Sequence, residues 1–92
     1  MQIHKQAIPL GQLKDYVTLQ LPLDAAVVSI GNQRECLAFW YTTGDRLVRP
    51  RRFRVAGTGH SIENSEEGRI GRFLGTVQFA DGDLVFHVFE VL

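Results

Sequence analysis

The sequence predicts an all-β, mainly antiparallel domain: a compact sandwich or curled barrel of about seven strands, with at most a short helical turn. Three observations carry this expectation. Apolar residues alternate or run continuously instead of recurring at helical spacing. β-branched and aromatic residues fill those apolar stretches, and Gly, Pro, Asn and Asp separate them at short intervals. At 92 residues the chain forms a single domain, 1–92, without repeat or linker.

The strands follow in order. Residues 3–8 form the first, closed by Pro9 and Gly11. Residues 16–21 alternate cleanly, with Val17, Leu19 and Leu21 on one face, Thr18 and Gln20 on the other, and Pro22 as the stop. Residues 26–30 and 35–42 flank Gly31-Asn32-Gln33-Arg34, which reads as a hairpin turn. Residues 51–56 form a fifth strand, broken by Gly57-Thr58-Gly59, and a polar loop runs on to Gly71 with one possible helical turn over residues 65–71. Residues 72–79 and 84–91 make the best-specified hairpin, because Asp81-Gly82 suits the positive φ angles of a two-residue type I′ turn.

That turn sets a register in which Phe79 faces Leu84, Val77 faces Phe86 and Gly75 faces Val88, giving a wholly apolar core face. The opposite face pairs Gln78 with Val85, Thr76 with His87 and Leu74 with Phe89. Apolar residues on both faces of this hairpin, and of the strand around Trp40, imply that something covers the second face. A second copy of the chain is the expected cover, most simply in a C2 dimer.

Composition narrows the function classes. Ten Lys/Arg balance ten Asp/Glu, so the general attraction that underlies non-specific duplex binding is missing, and duplex nucleic acid is not an expected partner. The single cysteine, Cys36, forms no internal disulfide or CxxC metal site and reads as a buried small hydrophobe. The N-terminal residues lack the apolar segment of a signal peptide, and no apolar run approaches a membrane span. The cytoplasm is the expected location. His4, His60 and His87 have no paired metal-ligand spacing, and no carboxylate doublet lies near a histidine, so no metal, cofactor or enzymatic activity is expected.

Two groups of residues exceed what folding needs. Arg52 and Arg54 project from the face of the fifth strand opposite Phe53 and Val55, about 7 Å apart by strand rise. Gly57, Thr58, Gly59 and His60 follow, offering backbone and side-chain donors suited to a phosphate or carboxylate. The competing reading pairs these arginines with Glu63, Glu66 and Glu67 in the adjoining loop. The second group is His87 with Thr76 across the hairpin, either a satisfied core histidine or one wall of a ligand pocket.

The strings Phe53-Arg54-Val55, Gly57-Thr58-Gly59-His60, Leu74-Gly75-Thr76-Val77-Gln78 and Leu84-Val85-Phe86-His87-Val88-Phe89-Glu90 resemble a family of short phage and prophage proteins known as a domain of unknown function. The resemblance covers Arg52 to Val91. Members often carry proline after Gly-Thr-Gly-His, where Ser61 stands here. It implies a phage origin, hence a host cytoplasm, and a β-fold, but no activity. The resulting expectation is a small counter-defence or regulatory binding protein. It would capture a small anionic, nucleotide-like ligand through Arg52, Arg54, Gly57, Thr58, Gly59, His60, Thr76 and His87, between subunits. The alternatives are a protein-binding inhibitor of a host complex, of the anti-CRISPR kind, and an accessory virion or assembly protein.

Overall fold

A computed structural model describes residues 1–64 and 68–92. Seven strands form two antiparallel sheets: β1 (Gln2–Pro9), β2 (Tyr16–Pro22), β3 (Ala26–Gln33), β4 (Cys36–Thr43), β5 (Val48–Gly57), β6 (Ile70–Phe79) and β7 (Leu84–Val91). One sheet has the order β1-β4-β3 and the other β2-β5-β7-β6. The molecule is thus the sandwich of the two expected architectures and not a closed barrel. Short 3-10 turns, Leu10–Gln12 and Ala80–Gly82, are the helical elements among the described residues. Of the helical turn expected at 65–71, residues 65–67 lie outside the described residues. Gly68 makes an isolated bridge, and Ile70 already belongs to β6.

The core lies where the inner rows of the two sheets meet. Leu37, Phe39 and Tyr41 of β4 face Phe53 and Val55 of β5, Val77 and Phe79 of β6, and Val88 of β7, all buried. Phe39 and Phe53 join the sheets directly, with ring centroids 4.8 Å apart. At one end the core is closed by an ion pair. Arg51 Nε and Nη2 donate to Glu90 Oε2 and Oε1, both at 2.8 Å, while Nη1 reaches across to the Ala25 carbonyl. At the same end Asp24, in the β2–β3 turn, clasps the β4–β5 connection. Its carboxylate accepts from Thr43 Oγ1 at 2.5 Å, Gly44 N–H at 3.0 Å and Asp45 N–H at 3.3 Å.

The β6–β7 hairpin keeps the sequence-derived register at Phe79↔Leu84, Gln78↔Val85, Val77↔Phe86, Thr76↔His87 and Gly75↔Val88. Asp81 and Gly82 hold positive φ (54° and 92°), as a type I′ turn requires, and Ala80 does too (51°). Beyond Gly75 a bulge intervenes, so Phe89 pairs with Phe73 and not with Leu74. A Cβ on Gly75 would lie 3.1 Å from Ile30 Cγ1, which shows how closely β3 presses on this point.

The β3–β4 turn departs from the expectation. It falls on Arg34-Glu35 (φ 52° and 59°), with Gln33 opposite Cys36, and Gly31 and Asn32 stay inside β3. Trp40 lies over Gly31, where an added Cβ would sit 3.4 Å from the indole. Asn32 serves the turn from within the strand: its Oδ1 accepts the Glu35 N–H at 2.9 Å, and its Nδ2 donates to Glu35 Oε1 at 3.0 Å. Cys36 starts β4 half-buried, not deep in the core.

Candidate functional site

The site-bearing face is the outer face of the β2-β5-β7-β6 sheet. β5 and β6 both run antiparallel to β7, which lies between them. They are therefore parallel to each other, and the chain after Gly57 must travel the length of the sheet to start β6. Its described residues lie on the outer face: Thr58 meets His87, the Ser61 carbonyl meets Arg54, and Gly68 lies against Val91. This crossover covers the apolar second face of the hairpin, at least in part, from within the same chain.

Arg54 holds the crossover down. It is 7% exposed although it points outward. Its Nη1 donates to the carbonyls of Asp15 (3.2 Å) and Val55 (2.8 Å), and its Nη2 to the carbonyl of Ser61 (3.1 Å). The Asp15 carboxylate lies 3.5 Å from Nη1. Arg52 and Arg54 do lie side by side, as their spacing requires: their guanidinium carbons stand 5.8 and 5.4 Å from the centre of the Tyr16 ring. Arg54, however, is directed into protein carbonyls and not toward solvent.

Thr58, His87 and Thr76 converge. Thr58 Oγ1 is 2.8 Å from His87 Nε2, and Thr76 Oγ1 is 3.0 Å from His87 Nδ1. A hydroxyl both donates and accepts, so either neutral tautomer of the imidazole is satisfied. Gly59 turns the chain at φ 89°. The His60 N–H donates to the Gly57 carbonyl at 3.0 Å, which folds the His60 ring over Gly57. A Cβ there would lie 3.0 Å from His60 Cε1, so a larger residue at position 57 would push the exposed His60 ring aside. Gly57, Thr58 and His60 line a depression of about 390 Å³ with Asp83, Leu84, Val85 and Phe86.

A larger depression, about 530 Å³, lies at the other end of β5. Arg49, Pro50, Arg51, Arg52, Glu90, Val91 and Leu92 wall it. Glu90 pairs with Arg51, and Arg49 and Arg52 bring two further guanidinium groups to the rim; the expected pairing with Glu66 and Glu67 lies outside the described residues. Of these residues only Arg52 stood out in the sequence as part of a site. Arg49 and Arg51 share the strand face of Phe53, and that spacing marks them as core-facing. Only the end of the sheet, where the core stops, turns them into a rim. The eight sequence-selected residues thus divide in three: Arg52 on this rim, Arg54 in the stitch, and the Gly57–His60 segment with Thr76 and His87 at the far end.

Among the described residues no group of three His, Cys, Asp or Glu is placed to hold a metal ion, and no helix is long and apolar enough to cross a membrane. No curated protein and no solved structure matches the chain. One family model does, over residues 1–92, and its description is Domain of unknown function (DUF7352).

Proposed function

We propose that this chain, which belongs to the family of unknown function DUF7352, is a small binding protein that captures an anionic, nucleotide-like ligand. The observation that supports this is the arginine-rimmed depression at the end of β5. The guanidinium groups of Arg49, Arg51 and Arg52 gather there, with Glu90 paired to Arg51, beside the apolar surfaces of Pro50, Val91 and Leu92. Guanidinium groups suit phosphate, which they bind through paired donors, and the apolar wall suits a flat base or sugar. The centre of the proposed site therefore moves from the Gly-Thr-Gly-His segment to Arg49, Arg51 and Arg52. The resemblance to phage proteins supports a phage origin, action in the host cytoplasm and a counter-defence role, and we hold these as parts of the same proposal.

The test is a thermal-shift titration with pyrophosphate, AMP and ADP. A ligand that binds only the folded chain stabilises it by about 2.7 kcal/mol at a hundred times its Kd. The shift should vanish in the Arg49→Ala, Arg52→Ala double variant and persist in Lys14→Ala, which lies at the other end of the molecule. An equal shift in both variants would end this reading.

One observation favours the protein-binding alternative. Ile3 is 68% exposed on the outer face of the β1-β4-β3 sheet, which also bears the half-buried Trp40, and Val28 in the β3 bulge is 53% exposed. Host-lysate capture that is lost on Trp40→Glu would support that role.

A further inference from the structure

A hydroxyl held against one nitrogen of an imidazole, with a second group fixing the other nitrogen, is the arrangement that activates a nucleophile. Thr58, His87 and Thr76 form it, at 2.8 and 3.0 Å. With the proton on Nδ1 donated to Thr76 Oγ1, the Nε2 lone pair faces the Thr58 hydroxyl. The three residues come from the crossover, β7 and β6, and the strand register holds Thr76 directly opposite His87. Thr58 is exposed, and it lines the 390 Å³ depression with the apolar side chains of Leu84, Val85 and Phe86. A reactive oxygen, its base and an apolar seat therefore adjoin one another, at the opposite end of β5 from the arginine rim.

From this geometry we propose that Thr58 Oγ1 is a nucleophile for acyl transfer from small activated esters, with His87 as its base. The Thr58 oxygen attacks the ester carbonyl carbon as its proton passes to His87 Nε2, and the carbonyl π electrons move onto oxygen. When that oxyanion collapses, the bond to the leaving alcohol breaks and the alcohol departs with the proton from Nε2. Water, deprotonated by the same nitrogen, then attacks the acyl-Thr58 ester. Its collapse releases the carboxylic acid and returns the hydroxyl proton to Thr58. Thr76 is a positioning residue. Because it offers a hydroxyl and not a carboxylate, it stabilises the imidazolium only weakly, so the site suits activated esters and not amides.

The experiment uses the full chain and p-nitrophenyl acetate. It follows p-nitrophenolate release together with intact-mass and peptide mapping of the acetylated protein. The expected result is a single acetyl group on Thr58 and a rate that falls in acid, as a reaction needing a general base must. Thr58→Ser should retain the reaction, and Thr58→Val, which preserves shape, should lose it by about 10²-fold or more. His87→Gln should lose it likewise, with the melting point measured alongside because His87 also anchors the crossover. Thr76→Val should shift the pH profile and Thr76→Ser restore it. Acetyl found on a lysine or on His60, or a Thr58→Val rate equal to that of the parent chain, would overturn the proposal.

Discussion

Arg54 shows how far one side chain's surroundings can depart from its place in a pattern. It alternates out of phase with Phe53 and Val55, so period-two reasoning assigns it to solvent. In the fold three carbonyls and the Tyr16 ring take up its guanidinium, and it becomes the one buried charged residue among the described residues. Hydrogen bonds to a charged group contribute about 1.5–3 kcal/mol. Arg54→Ala should therefore destabilise the domain by roughly that much in urea unfolding, against the sequence-based expectation that its loss would leave the fold largely intact. Arg54→Lys should recover only part, because an ammonium cannot span the Asp15, Val55 and Ser61 carbonyls with one planar fork. Such a pairing is illegible in sequence because its partners are backbone atoms, which every residue carries.

At the scale of elements, what the sequence specifies well is what two-residue periodicity and turn chemistry can set. The β6–β7 hairpin is readable from Asp81-Gly82 as far as Gly75, and there the bulge that brings Phe73 to Phe89 begins. That bulge answers to Ile30, forty-five positions away in the other sheet, so no local pattern announces it. The β3–β4 turn differs from the expectation because Gly31-Asn32, despite its turn chemistry, pairs within β3 with Trp40 packed over Gly31, and Asn32 serves the turn from one step back. The site divides in the same way. Thr76 opposite His87 follows from strand register, whereas Thr58 reaches His87 only because the crossover folds back. A connection between elements also yields a pH prediction. The hydrogen bond from Thr43, then that from the Gly44 N–H, holds the Asp24 carboxyl below the ordinary carboxylate value. The unfolded chain binds that proton more tightly, so the clasp contributes stability above the ordinary value, about pH 3.9, and loses it as pH falls through the lower folded value. Protection of the Gly44 and Asp45 amides, relative to their intrinsic exchange at each pH, should fall over that acidic window, and Asp24→Asn should remove that fall at both amides.

At the scale of the whole molecule the two outer faces differ. The β2-β5-β7-β6 sheet carries its own crossover. The β1-β4-β3 sheet bears Ile3, Ala7 and Trp40 in neighbouring outward positions of β1 and β4, with Lys5 as the charge among them. The C2 dimer proposed from the sequence therefore finds its better surface on the three-stranded sheet and not on the β6–β7 hairpin. Light scattering at micromolar concentration should give twice the chain mass, and Trp40→Glu should halve it while leaving the melting transition cooperative. A monomer mass for the parent chain would dismiss the dimer without touching the ligand proposal, since the arginine rim lies within one chain.

The position of β7 between β5 and β6 also has a consequence in time. It is the last of the seven strands to be synthesised, yet both of its neighbours need it: β5 has no other partner on that side, and β6 has no other strand in its sheet. A growing chain on the ribosome can assemble β1, β3 and β4 early, but the four-stranded sheet must wait for its central strand. Contacts between β5 and β7 span 29 to 37 positions, a separation that favours slow, cooperative folding. Until β7 arrives, the crossover has nothing to cross. Thr58 meets His87 only once β7 is in place, so the arrangement proposed to be reactive forms as one of the last events of folding and is absent from any chain that has not completed it.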